Sequence, residues 1–270
     1  MNVRPTIPVL YYNTIFNVGD QLNPFLLPRL FDVDVTLATL PTAPHLAAIG
    51  SILQATNERS QVWGTGVMHD TYRVPNLSAG NVHAVRGKLS YQWLRSGGIN
   101  LRDIPLGEPG FLANDALRDT NQPKRFEIGI VPHYQDRRLV CSSSLVAEDS
   151  VADLSVHSEP GAFLADMASC RVVVSSSLHG LVLAESLGIP NVWVKFSDRT
   201  GGGKFKFLDW FSLAARPQLQ PYVPAGVSSK EILRELSAGA TLHEFPNTKN
   251  DLISAFPRAW CSLHLADRPN

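Results

Sequence analysis

Residues Arg171–Lys195 read RVVVSSSLHGLVLAESLGIPNVWVK. A short apolar run, Val172–Val174, is followed by three serines and then by Leu178–His179–Gly180. An apolar-periodic segment continues to Leu187, where Gly188 and Pro190 stop it. A second apolar run, Val192–Val194, follows. Strand, tight loop, helix, strand is the βαβ unit of a parallel sheet. Ligands of such sheets sit at the carboxyl ends of the strands. The loop at that end carries Ser175, Ser176, Ser177, His179 and Gly180. The first-turn N–H groups of the helix are unpaired and the dipole is positive there, which suits an anion. The same serines also fit as ordinary N-caps, and a lone loop histidine is often structural. Glu185, six residues after His179, faces solvent or pairs with a cation.

Working outward, the rest of the chain repeats the alternation. Strands are expected at Val9–Tyr12, Val33–Leu37, Leu46–Ile49, Val62–Gly64 and His83–Arg86. A helix capped by Asp20 places Leu22, Phe25, Leu26, Leu27 and Leu30 at its apolar positions, and another runs from Gly87 to about Arg95. Asn114–Arg125 is polar and reads as a linker. A second series opens with a strand at Phe126–Val131 and a helix that Pro160 starts and that ends about Cys170. Ser197–Lys206 is glycine-rich, Ser228–Leu236 reads as a surface helix, and Thr248–Phe256 begins a last helix that Pro257 kinks or restarts. The alternation predicts a mostly parallel α/β fold.

Composition narrows the function. The 270 residues carry 24 Lys and Arg against 24 Asp and Glu, so nothing suggests a nucleic-acid footprint or a polybasic membrane tail. Cys141, Cys170 and Cys261 form no CxxC pair, which supports neither a disulfide framework nor a zinc knuckle. The eight histidines form no HxH or HExxH, so no metal is expected. The opening MNVRPTIPVLYY does not read as a signal peptide, and no apolar run approaches the roughly 20 residues that span a bilayer. A soluble cytoplasmic protein, at most peripheral to a membrane, is the expectation.

Four further loops offer chemistry. Asn17–Val18–Gly19–Asp20, with Asn23 behind it, lets backbone approach a ligand at Gly19. Asp20 there caps a helix, hydrogen-bonds a sugar hydroxyl, or accepts its proton. Gly64–Thr65–Gly66 is a tight loop but not a dinucleotide fingerprint. Arg86 at a helix start opposes the dipole unless an anion offsets it, and its fork suits carboxylate or phosphate. His133 ends a strand in the second half, where it shares a cleft with His179 if both sheets point their carboxyl ends together. Lys204 and Lys206 sit in the glycine-rich loop, which lacks the P-loop pattern.

The ordered set NVGDQLNPFL, WGTG, AVRG, GEPGFL, VPHY, SSSLHGLVLAESLGIP and AFP resembles the polysaccharide pyruvyl transferase family. It is most similar to bacterial exopolysaccharide ketal-pyruvate transferases such as the xanthan and succinoglycan enzymes. Many members have arginine where Ser177 stands and aspartate where Glu108 stands. The resemblance implies two Rossmann-like domains, 1–118 on the acceptor side and 119–270 on the donor side. The cleft lies between them as in B-type glycosyltransferases, and the last helix packs back on the first domain. It implies phosphoenolpyruvate as donor, a sugar as acceptor, a pyruvate ketal as product, and no cofactor. A lipid-linked acceptor would place the work at the inner face of the membrane. His179 is then acid or phosphate anchor, and Asp20 or His133 activates the acceptor hydroxyl. Arg86, Ser175, Ser176, Ser177, Gly180, Lys204 and Lys206 hold the donor. Asn17, Gly19, Asn23, Gly64, Thr65, Gly66 and Glu108 line the cleft. Two alternatives stand beside it. One is a nucleotide-sugar glycosyltransferase of the same fold; the other is a sugar-binding module using Trp63, Trp93, Trp193 and Trp210 as stacking faces.

Overall fold

The computed structural model describes residues 4–39, 43–117, 122–143, 146, 148–199, 203–224 and 230–264. The first half runs β1 (Thr6–Leu10), α1 (Val18–Phe31), β2 (Asp34–Leu37), β3 (His45–Ala47), β4 (Ser60–Trp63), β5 (Val82–Ala84), α2 (Lys88–Ser96) and α3 (Ala113–Ala116). Its five strands pair in parallel in the order β2-β1-β3-β4-β5. The second half runs β6 (Phe126–Val131), α4 (Arg137–Cys141), β7 (Val151–Asp153), α5 (Pro160–Ala168), β8 (Cys170–Ser175), α6 (Leu178–Ser186) and β9 (Asn191–Trp193). Its sheet is also parallel, in the order β7-β6-β8-β9. Helices α7 (Phe205–Phe211), α8 (Lys230–Gly239), α9 (Thr248–Ser254) and α10 (Arg258–Leu263) complete the described chain.

Local chemistry explains the helix that matters most. Asn17, not Asp20, caps α1: its side chain accepts from Gly19 N at 2.9 Å, and Asp20 lies in the first turn. Two asparagine-like groups compete for that role, and the extended backbone at residue 17 decides it. Pro24 lies inside α1 and has no N–H for the Asp20 carbonyl. The Asn23 amide donates to that carbonyl at 3.0 Å instead.

One apolar core crosses both halves, from Ile7, Leu26 and Trp63 to Phe163, Leu183 and Cys261. The chain returns to its first sheet at the end. Phe256 stacks on Phe31 with centroids 3.7 Å apart, meets Trp63 edge-on, and the Trp63 indole donates to Leu252 O at 2.9 Å. Full burial of an aromatic side chain such as Phe256 contributes about 1.5–3 kcal/mol. All four tryptophans considered as stacking faces are buried, which removes that support for a binding module.

Several boundaries differ from expectation. The first strand begins earlier, at Thr6, and the helix from Pro160 stops at Ala168 because Cys170 already belongs to β8. Ala113–Ala116 is helical, so the polar linker starts later than Asn114; residues 118–121 lie outside the described residues. The glycine-rich loop ends sooner than expected, since α7 starts at Phe205 and includes Lys206. Its centre, 200–202, lies outside the described residues, as do 228 and 229 of the helix expected from Ser228. That helix buries Ile232, Leu233 and Leu236 against the second sheet.

Candidate active site

The carboxyl ends of β1, β3, β4, β5, β6 and β8 carry nearly every polar residue singled out in the sequence. Val18 N donates to Val156 O at 2.7 Å, which ties the start of α1 to the second half. At that junction His179 of α6 lies against Gly19 of α1. A Cβ on Gly19 would fall 2.0 Å from His179 Nδ1, so only glycine admits the imidazole. Across the ring, Nε2 lies 3.8 Å from Glu108 Oε1. Glu108 is held at the start of a short 3-10 turn, Pro109–Leu112, where it accepts from Gly110 N at 3.4 Å. His179 Nε2 and Glu108 Oε2 are both buried with no hydrogen-bond partner among the described residues.

Arg86 acts electrostatically on both members of this pair and is closed off from solvent. Its side chain is fully buried and donates to Asp209 Oδ2 at 2.9 Å, Ser51 Oγ at 2.6 Å and Val67 O at 2.7 Å. Gly66 makes room for it, since a Cβ there would fall 2.3 Å from the guanidinium carbon. Asp209 also accepts from Ser90 N and Ser90 Oγ, at 2.8 and 2.6 Å. Asp209 and Lys206 are three residues apart on α7, so the helix that anchors Arg86 also carries a buried lysine into the site.

Burial favours the neutral forms of His179, His133, Lys206, Glu108 and Asp20; the neighbouring cations reinforce this for the two histidines and the lysine and oppose it for Glu108. Desolvation, then Lys206, then Arg86 hold His179 down to about 3. His133 is lowered to about 4 by burial and then by Lys206. Lys206 itself falls to about 8 through burial and Arg86. Burial lifts Glu108 to about 7 against the opposing pull of Arg86 and the Gly110 N–H. Asp20 rises to about 7 by burial, opposed by the Tyr12 N–H. Such a cluster of perturbed groups marks a candidate functional site.

Other candidates hold the frame instead. Asn23 is fully buried and pairs with Ile49 through both N–H and C=O, at 3.0 and 3.1 Å. Thr65 is fully buried and donates to Gly50 O at 2.7 Å. Gly64 has φ of +89°, and a Cβ there would strike Pro109 at 2.3 Å. Ser175 accepts from Ser177 N at 2.9 Å, and Gly180 packs on its Oγ. Ser176 accepts from His133 N at 2.9 Å and donates to buried Asp136 at 2.7 Å. Asp136 also takes Ser197 Oγ at 2.5 Å, so one carboxylate joins three loops. Lys204 is exposed and paired with Gln220. Ser177 stands at the N-cap of α6 without a side-chain cap bond. Glu185 is buried and pairs with His243 at 2.6 Å.

Two parallel sheets whose strand ends converge on half-buried histidines, carboxyls and cations define an α/β protein with an enzyme's polar centre. The model of the polysaccharide pyruvyl transferase family matches residues 45–198, and the chain belongs to that family of transferases. The motif resemblance is thus confirmed, and the family implies a polysaccharide acceptor. The chain is also similar to an uncharacterised protein, L143, of Acanthamoeba polyphaga mimivirus. The two are 33% identical over 217 residues, covering 78% of this chain and 75% of that protein. Among the described residues no helix is long and apolar enough to cross a membrane, and no group of three or more His, Cys, Asp or Glu is placed to hold a metal ion.

Proposed function

We propose that this chain moves the pyruvyl group of phosphoenolpyruvate onto two hydroxyls of a sugar, forming a pyruvate ketal and releasing phosphate. The observation that carries this is the buried pair of cations, Arg86 and Lys206, set beside His179 and Glu108 with unpartnered polar atoms. An anion bearing phosphate and carboxylate complements that field, and its arrival would raise the proton affinity of Lys206 and both histidines. Lys206, Ser177 and the first-turn amides at Gly180 are the donor contacts; Arg86 acts through its charge. Ser175 and Ser176 shape the loop that presents them.

On this reading protonation of the donor's methylene carbon generates an oxocarbenium-like centre, and one sugar hydroxyl attacks it. The donor carboxylate stabilises that charge electrostatically. Asp20, raised to about 7, takes the hydroxyl proton, and His133, held neutral by burial and Lys206, is the other candidate acceptor. The backbone at Asn17, Gly19, Gly64 and Gly66 borders the acceptor. Residues 1–118 form the acceptor domain and 119–270 the donor domain, in an arrangement like that of B-type glycosyltransferases. No cofactor enters the scheme, and the acceptor is an exopolysaccharide or its lipid-linked precursor at the inner membrane face.

The test is incubation with phosphoenolpyruvate and a panel of sugar acceptors, following phosphate release and acceptor mass. Phosphate release with the mass gain of a pyruvate ketal supports the reading. Neither turnover nor a thermal shift with phosphoenolpyruvate overturns it. His179→Ala should abolish transfer with the fold intact.

A further inference from the structure

The acid in this scheme has no evident source, because the buried His179 is neutral when the site is empty. Glu108 supplies an answer. Its Oε1 and His179 Nε2 are 3.8 Å apart. That gap is too narrow to admit another atom and slightly too wide for a hydrogen bond. Catalytic hydrogen bonds are often long in unliganded sites and tighten when substrate binds. Glu108 is anchored by the fixed turn at Pro109–Leu112, and its side chain is 1% exposed, so it has no access to bulk water. The imidazole's other edge lies against Gly19, where a larger residue would close it off.

We propose that Glu108 and His179 work as one proton-donating couple, with Glu108 the positioning residue that acts through the imidazole. The inference rests on the donor reading above. His179 carries its proton on Nδ1 and turns the Nε2 lone pair toward Glu108. As Nδ1–H gives its proton to the donor's methylene carbon, Glu108 O–H gives its proton to Nε2. The products are a Glu108 carboxylate and a neutral His179 with the proton on Nε2. The two acceptor hydroxyls lose two protons in all. One returns to the couple and the other leaves with phosphate, so the cycle closes. The charged groups acting on the pair are Arg86, after β5, on both members and Lys206, on α7, on His179; Lys206 also acts on His133 after β6, and Asp20 follows Gly19 in the first turn of α1. Arg86 and the Gly110 N–H favour an ionised Glu108; burial opposes them and prevails.

Two measurements test it. The first needs no substrate: nitrogen NMR of the His179 ring, followed from about pH 5 to about pH 9. The wild-type ring should report a step near 7, where Glu108 releases its proton. That step should vanish in Glu108→Gln and move in Glu108→Asp, with His179→Gln assigning the signal. A wild type without the step, or a step unchanged in both variants, overturns the couple. The second is the pH profile of kcat. Glu108→Gln should lose about 10²–10⁴-fold and with it the ionisation near neutrality, and Glu108→Asp should restore both in part. If both variants fold but lose rate equally, with the profile unshifted, Glu108 is only a prop. If the ring step behaves as expected but phosphoenolpyruvate is never consumed, the proton coupling of the two side chains stands, while the donor reading and the couple's role as its acid fall.

Discussion

Replacing Asp209 by asparagine should cost this protein a large share of its stability. Asp209 and Arg86 are both wholly buried. The carboxylate accepts from Arg86 Nε, Ser90 N and Ser90 Oγ at 2.9, 2.8 and 2.6 Å. An asparagine of the same shape has one acceptor oxygen where two are used, and its amide turns a donor toward a donor. Arg86 is then a buried charge without its counter-ion. Removing one partner of such a pair costs about 3–5 kcal/mol, a rise of about 10²- to 10⁴-fold in the unfolding constant. With a urea slope of about 2–3 kcal/mol/M the midpoint should drop by about 1–2.5 M. Urea titration followed by tryptophan fluorescence reads this directly, since Trp210 is the next residue and fully buried. Replacing both partners, Arg86→Met with Asp209→Leu, removes the charges together and should recover most of the loss. A midpoint for Asp209→Asn within about 0.3 M of wild type would refute the reasoning, as would a double variant as unstable as the single one.

Gly19→Ala sets a methyl group 2.0 Å from His179 Nδ1, so the ring must move. Transfer should fall by about 10²-fold while the thermal midpoint changes by only a few degrees; activity within about threefold of wild type would contradict the packing. Asp20 is raised to about 7 from 3.8, so the folded chain keeps a proton that the unfolded chain has released. Its contribution to stability is full below the ordinary value and is lost as pH rises to about 7. Asp20→Asn should therefore flatten the stability profile across that window, and urea midpoints that track the wild type in parallel would count against it. Phe256→Ala removes the ring stacked on Phe31 and should cost about 3–5 kcal/mol, read by the same urea titration.

The βαβ unit around His179 and the strand at Phe126–Val131 were legible because apolar runs there are bounded by sharp breakers. Strand β7 has only three residues, too few for a period to emerge. Helix α7 was hidden because its aromatic run begins directly after a glycine-rich stretch. The motif set singled out His179, Glu108, Asp20 and Gly19, but it could not tell which polar residues turn inward. Asn23 and Thr65 read as cleft residues and are spent on backbone hydrogen bonds. Asp209 left no local trace, since its partner Arg86 lies 123 residues away. Asp136 is likewise 40 residues from Ser176.

The return of the chain to its first sheet also sets a timetable for synthesis. Trp63 and the Leu252 carbonyl that accepts its indole N–H are 189 residues apart. At a ribosome's pace of about 5–20 residues per second, about 10–40 s separate the emergence of the two. Throughout that interval Phe31 and Trp63 await the ring that will cover them. A nascent chain of this protein is thus a natural client for chaperones that hold apolar surface. Slow codons before Phe256 would lengthen its exposure without altering a single residue.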